Sequence, residues 1–263
     1  FERMVIKIIP EESSRVAAMM SGRFDFTGGF PSAFIPQAKA NPNLTVTRAE
    51  PNFQLLYYGY KITRPLVADV RVREAMNIAI NRADIVKGIM LGNAEPAYTF
   101  IDPKALDFAD STQGIIKEDV ERAKKLRDEA GWKVGSDGIR EKDGVKLSFL
   151  YQTSTNSVRQ GTQALVKDMW SQIGVSVELR NISASVFFGG DPASPDTFQK
   201  FMADIQMYTN NFDGTDPEKY MAGWMCDKIP SPATGWQGEN IVRYCNPEYD
   251  ALVKELGKTG ELE

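Results

Sequence analysis

Apolar residues recur along this chain with two different periods, and the alternation between the two sketches an α/β fold. Val72, Ala75, Met76 and Ala79 fall at i, i+3, i+4 and i+7, one face of a helix that Asp69 is placed to cap. Asn81 can cap a second helix, with Asp84 in its first turn and Ile85, Val86 and Ile89 directed inward. A charged helix over 117–130 carries Val120, Ala123, Leu126 and Ala130 on one face and is closed by Gly131. Another over 157–173 carries Leu165, Val166, Met169, Trp170 and Ile173, and Gly174 ends it. Apolar runs at 146–151 and 175–179 flank that helix as strands. Strand, helix, strand in this order implies parallel neighbours joined by a right-handed crossover.

The remaining pattern is weaker. Residues 4–9 are β-branched and alternate enough for a strand ended by Pro10. A helix over 12–21 offers Val16, Ala17, Met19 and Met20 for burial before Gly22 stops it, and 24–26 begins a short strand. A short helix follows Pro31, with strands at 44–47 and 54–58. A helix near 198–202 leads to a strand over 204–208. Near the end, Asn246-Pro247-Glu248 places a cap, a first-position proline and an early carboxylate ahead of Tyr249, Leu252 and Val253. Residues 135–144 read as a turn-rich hairpin. Set in the register of a calcium loop, they would put Lys133 and Gly144 at ligand positions, which neither can fill.

Composition narrows the chemistry. The 263 residues can bury a substantial core, and 42% hydrophobic with 25% charged residues is ordinary for a globular chain. A net charge of −4 speaks against nucleic acid or an anionic membrane surface as the main partner. No apolar run approaches the roughly 20 residues of a membrane helix. The chain opens at Phe1 and closes in charged residues, which reads as a mature or shortened form. It contains no histidine at all. That removes His-based acid–base catalysis, Ser-His-Asp and Cys-His nucleophiles, and His-ligated zinc; no metal or cofactor is expected. Two cysteines, Cys226 and Cys245, lie in a Gly/Pro/Ser/Asn-rich segment, either as two separate buried thiols or as a disulfide worth roughly 3 kcal/mol.

Five motifs, in order, resemble one family. R-V-A-A-M-M-S-G-R-F-D-F, D-V-R-V-R-E-A-M-N-I-A-I-N-R, D-V-E-R-A-K-K-L-R-D-E-A-G-W, D-G-I-R-E-K-D-G and N-P-E-Y-D-A-L-V are similar to segments of the extracytoplasmic solute-binding proteins of the peptide, nickel and opine class, family 5. The resemblance implies an α/β fold, a periplasmic-binding-protein-like lobe (class II, large peptide-binding subclass) with a mixed sheet flanked by helices. It implies residues 1–56 as a remnant of lobe I and 57–263 as lobe II, incomplete at its C-terminus, with the crossover near 57–61. The implied function is the substrate-binding component of an ABC importer, periplasmic or extracellular and membrane-anchored, a monomer in full-length form. Its implied partners are a peptide or other small solute and the transporter permease. Missing histidines disfavour nickel as cargo.

The candidate site is the polar run Tyr208-Thr-Asn-Asn-Phe-Asp-Gly-Thr-Asp-Pro-Glu-Lys-Tyr220, which follows a strand, where ligands commonly bind in α/β sheets. It resembles the family's W-x-x-D-x-x-D-P pattern, in which the first aspartate pairs with the ligand amino terminus; Asp213 holds that position. Asp216 reads instead as the cap of a helix begun by Pro217. Asn210 stands where the family often has an aromatic residue. It and Asn211 could therefore supply hydrogen bonds to a sugar-like, opine-like or amidated solute. Lys61 replaces a frequent asparagine at the crossover. Among the aromatics Phe53, Tyr57, Tyr58, Trp224 and Trp236, we expect Tyr58 and Trp224 to join Tyr208 at the cleft. Two rival functions remain: a ligand-sensing receptor module, and a carboxylate-dependent hydrolase using Asp204, Asp213 and Asp216.

Overall fold

The computed structural model describes residues 2–48, 54–101, 116–212 and 216–258. In chain order, helix α1 (Glu12–Met20), a 3₁₀ turn (Ser32–Phe34) and α2 (Ile35–Ala40) precede strand β1 (Gln54–Tyr60). Helices α3 (Pro65–Ala68), α4 (Val70–Ile78), α5 (Arg82–Gly88) and α6 (Val120–Glu129) follow. A small three-stranded meander is made by β2 (Lys133–Val134), β3 (Arg140–Lys142) and β4 (Val145–Lys146). The chain then enters the β–α–β unit β5 (Ser148–Ser154), α7 (Ser157–Ser171) and β6 (Ser176–Ile182). Last come α8 (Ala184–Phe187), β7 (Ile205–Asn211), α9 (Glu218–Ala222) and α10 (Pro247–Leu256).

Local chemistry starts these helices. The Asp69 carboxylate accepts from the Arg71 amide at 2.9 Å, Asn81 from Asp84 at 2.9 Å and Asp119 from Arg122 at 2.8 Å. Asn156 and Asn246 do the same for α7 and α10, at 3.1 and 2.9 Å. Asp216 accepts from the Glu218 amide at 2.8 Å, so α9 begins one residue later than the sequence pattern suggests, with Pro217 as its N-cap.

The main sheet has the order β1-β7-β5-β6, with β1 antiparallel to β7 and the other pairs parallel. Pairing runs along all of β1, from Gln54 opposite Asn211 to Tyr60 opposite Ile205. Side-chain alternation gives the sheet two buried faces. Tyr58, Phe149, Tyr151, Val177, Ile205 and Met207 pack with α4, α6 and α7 in the larger core, around Met76, Leu126 and Trp170. Leu150, Ile182 and Tyr208 face the other way, against Phe187, Phe198, Phe201 and Ile241. The Gln206 amide group clamps that second layer to the sheet, donating to the Phe198 carbonyl at 2.9 Å.

Several expectations fail, and the failures share a cause. Residues 4–9, 24–26 and 44–47 form no strand, because no neighbouring strand pairs with them among the described residues; Ile8 is 89% exposed. The stretch 198–202 is a series of turns rather than a helix, while α8 was not signalled by any clear period. Leu252 is exposed, leaving Val253 as the buried residue of α10. Arg127, on what looks like the charged face of α6, is wholly buried and donates to the Ile173 carbonyl at 3.0 Å. Burial lowers its pKa to about 9.

Candidate functional site

Strands β5, β6 and β7 all end at one edge of the sheet, and the chain leaves that edge through α7, α8 and the polar run after Asn211. In open α/β sheets this carboxyl edge is where ligands settle. The dominant group there is Arg159, in the first turn of α7. Its guanidinium donates to Ser154 Oγ at 2.8 Å, at the end of β5, and to Thr209 Oγ1 at 3.1 Å, near the end of β7. Phe188 lies beneath it, 5.2 Å from guanidinium carbon to ring centroid.

Two features suit Arg159 to an anion. Its Nε is buried without a partner, and no carboxylate pairs with it among the described residues. It also sits at the amino end of a 15-residue helix, whose dipole favours negative charge. Burial lowers its pKa from the usual guanidinium value, yet a guanidinium stays charged at neutral pH. Nothing in the pattern of the sequence pointed to it: an arginine early in a helix reads as a solvated charge. Only the approach of β7, 50 positions further on, turns it into a site.

Aromatic rings carry the shelf onward from Arg159. Phe188 packs on Phe198 at 5.6 Å, and Phe198 on Tyr208 at 5.6 Å. Tyr208 is nearly buried in the second core layer, and Asn210, two residues on, lies on the same face of β7. The Asn210 side-chain oxygen accepts from the Asn211 amide at 3.0 Å. Tyr208, Asn210 and Asn211 are thus gathered at one edge. Asp213 and Phe53 lie outside the described residues, as does the Tyr57 side chain.

The other two expected aromatics stand elsewhere. Tyr58 is directly opposite Met207 in the β1–β7 ladder and so lies on the face away from Tyr208. Its ring meets Trp170 edge-on at 5.6 Å, and its hydroxyl donates to Asn77 Oδ1 at 2.9 Å, an assignment to the core rather than the shelf. Burial raises its pKa above the ordinary tyrosine value. Trp224 belongs to a neighbouring aromatic group: it meets Phe100 at 5.2 Å, Phe100 meets Tyr220 at 5.0 Å, and Tyr220 meets Phe212 at 5.4 Å. Phe212 follows the Asn210–Asn211 pair directly, so this group adjoins the shelf. Trp236 stands apart on a loop, in a left-handed conformation, with the Lys200 ammonium 5.3 Å from its ring centroid.

That loop is closed by a disulfide between Cys226 and Cys245, 19 positions apart. Inside it the buried Asn240 organises the turn. Its NH₂ group donates to the carbonyls of Trp224, Met225 and Tyr244 at 2.8, 3.0 and 2.6 Å, and its oxygen accepts from the Tyr244 amide at 3.1 Å. At the opposite end of the sheet Lys61 donates to the Lys200 carbonyl at 3.2 Å. Burial, with Arg243 and Arg64 nearby, pulls its pKa down to about 8.

Of the three acids, Asp213 lies outside the described residues, and the other two stand at opposite ends of β7. Asp204 stands just before β7 and accepts from the Leu150 amide at 2.9 Å, whereas Asp216 lies beyond the far end of that strand. Seven strand residues separate the two ends by about 23 Å, against the roughly 5–9.5 Å that paired glycosidase carboxylates need. Among the described residues, no group of three Cys, Asp or Glu side chains could hold a metal ion. Among them, too, no helix is long and apolar enough to cross a membrane.

Comparison with known proteins identifies the family and the fold. Residues 1–231 match the model of the bacterial extracellular solute-binding proteins, family 5 Middle. The oligopeptide-binding protein AppA of Bacillus subtilis is 26% identical over 97% of the chain, which spans 45% of that relative. The oligopeptide-binding protein OppA of Lactococcus lactis subsp. cremoris is 33% identical over 63% of the chain and 30% of its own length. The solved structure of AppA in complex with a nonapeptide superposes with a TM-score of 0.81, over 97% of this chain and 48% of that one. A dipeptide-binding protein from a Pseudoalteromonas strain, solved with Met-Leu, shares the fold at a TM-score of 0.79 and 21% identity. The chain therefore spans about half the length of these solved relatives.

Proposed function

This chain belongs to the family 5 bacterial extracellular solute-binding proteins, and from that premise we propose that it forms one lobe of a peptide receptor serving an ABC importer. The lobe holds its cargo against a partner lobe and passes it to the membrane permease without making or breaking a bond. In this reading residues 1–56 are a remnant of the first lobe and residues 57–263 form the second. The full-length protein works as a monomer outside the cytoplasm, and is not an enzyme.

The observation that carries this reading is Arg159. A partly buried cation at the carboxyl edge, with no carboxylate paired to it among the described residues, suits the terminal carboxylate of a peptide, because attraction strengthens as a closing cleft expels water. Asp213 supplies the matching anion for the ligand amine, and Asn210 and Asn211 serve the peptide groups between. Relatives whose names and structures record peptide ligands support the same choice. Because a closing cleft draws contacts from both lobes, one lobe alone binds weakly. A ligand-sensing role would use the same shelf and differ only in the partner.

The test is chemical. The full-length protein is purified from its native host under non-denaturing conditions, and the solutes released on unfolding are identified by mass spectrometry. Peptides with free carboxyl termini are expected; a sugar or metal chelate carried in their place would overturn the proposal.

A further inference from the structure

Beside the shelf, on the far side of Phe198, lies a cavity of about 460 Å³. Its walls are α9, the turn carrying Phe198 and Gln199, and the loop closed by the disulfide. That volume is far above the ~15 Å³ that admits one water. The walls are held in advance. The loop is tied by Cys226–Cys245 and by the four hydrogen bonds of Asn240. Gly238 adopts φ +148°, and a Cβ there would stand 2.3 Å from the Lys228 carbonyl oxygen, so the loop closes only with glycine at this point.

The charges in the cavity are unevenly satisfied. Lys228 is engaged by Asp227 at 3.2 Å. Glu218, Glu239 and Lys219 have no side-chain partner among the described residues, which leaves two free carboxylates against one free ammonium. The Glu239 carboxylate leans across the bare backbone of Gly223, where an added Cβ would stand 2.7 Å from Oε2. Phe198 is the common wall, since the same ring packs on Tyr208 of the shelf at 5.6 Å.

We propose that this cavity receives one side chain of the bound peptide and that Glu218 and Glu239 make it select a lysine or arginine side chain. The inference rests on the peptide reading of the shelf and adds the class of peptide. A long apolar stem would run along Phe198 and Ala222, and its cationic head would meet the two carboxylates in a bay still open to water.

The test uses the full-length protein and tripeptides based on Ala-Ala-Ala, with lysine, norleucine or glutamate at each position in turn, titrated by calorimetry. At one position lysine is expected to bind roughly three- to tenfold tighter than norleucine, as a partly exposed charge pair allows, and glutamate is expected to bind worst. The double variant E218Q/E239Q, checked for an unchanged melting temperature, should bring lysine and norleucine within twofold and leave Ala-Ala-Ala binding as it was. Equal binding of the lysine and glutamate peptides at all three positions would overturn the proposal while leaving the shelf reading intact. Failure of every tripeptide to bind would overturn both.

Discussion

Arg159→Met separates the two things a charged group on the shelf could do, hold the fold or hold the cargo. In the fold, the substitution removes two hydrogen bonds to neutral hydroxyls, at Ser154 and Thr209. Each contributes a net ~1 kcal/mol. Against this, it removes a buried Nε with no partner, whose desolvation costs about 1–3 kcal/mol. Methionine also keeps an unbranched stem over Phe188. The two effects nearly cancel, so stability should change by no more than about 1 kcal/mol. Binding is another matter. A charge-assisted bond to a ligand carboxylate is worth about 1.5–3 kcal/mol, and each 1.4 kcal/mol is a factor of ten, so affinity should fall by roughly 10- to 150-fold. Calorimetric titration of the full-length protein with a peptide and its C-terminal amide reads this directly. The parent should prefer the acid by that factor, and the variant should bind acid and amide alike. Arg159→Lys should fall between, keeping the charge but losing the planar fork. If the parent binds the amide as tightly as the acid, the guanidinium does not grip a carboxylate and the reasoning fails.

Three further outcomes follow from the same structure. Asn240→Leu removes four hydrogen bonds, three to the carbonyls of Trp224, Met225 and Tyr244 and one from the Tyr244 amide, and should destabilise the protein by about 3–5 kcal/mol in a denaturant melt; a loss under 1 kcal/mol would show that water replaces the side chain. Opening the Cys226–Cys245 bridge, by reduction or by C226S/C245S, frees a loop of 19 positions and should cost about 3 kcal/mol. An unchanged melting temperature, with free thiols confirmed by a mass gain of about 2 Da, would contradict it. Lys61, with its pKa lowered to about 8 first by burial and then by Arg243 and Arg64, gives up its proton more readily folded than unfolded. Between about pH 8 and 10.5 the unfolded chain therefore binds more protons, and this group's contribution to stability rises with pH. Lys61→Met should be relatively most favourable at pH 7 and lose that advantage by about pH 10, as melts at several pH values would show; a constant difference would exclude Lys61 as the source.

What could be read from the chain was whatever neighbouring residues decide among themselves. Asp69, Asn81 and Asn246 cap their helices because a side-chain oxygen and the amide it accepts from are two or three residues apart. The β5–α7–β6 unit was legible for a similar reason: its strands and helix are consecutive, and the crossover has one allowed hand. Pairing across long separations was not. Residues 4–9 have the composition of a strand, but a strand exists only when another lies beside it. Tyr58 and Tyr208 both read as aromatics near a polar run, and only the β1–β7 register, with Tyr58 opposite Met207, sends their rings to opposite faces of the sheet.

The sequence by itself determined the class of fold, the helix starts and the place of the polar run, since hydrophobic period and capping act over a few bonds. The tertiary structure alone decided which charges matter. Arg127 and Arg159 look alike on paper, each one cation on a helix. Packing buries the first beneath the Ile173 carbonyl and delivers the second, with no carboxylate beside it among the described residues, to the edge where three strands end. Whether a charge is solvated, sealed in or waiting for a counter-ion depends on groups dozens of residues away, and no local pattern carries that information.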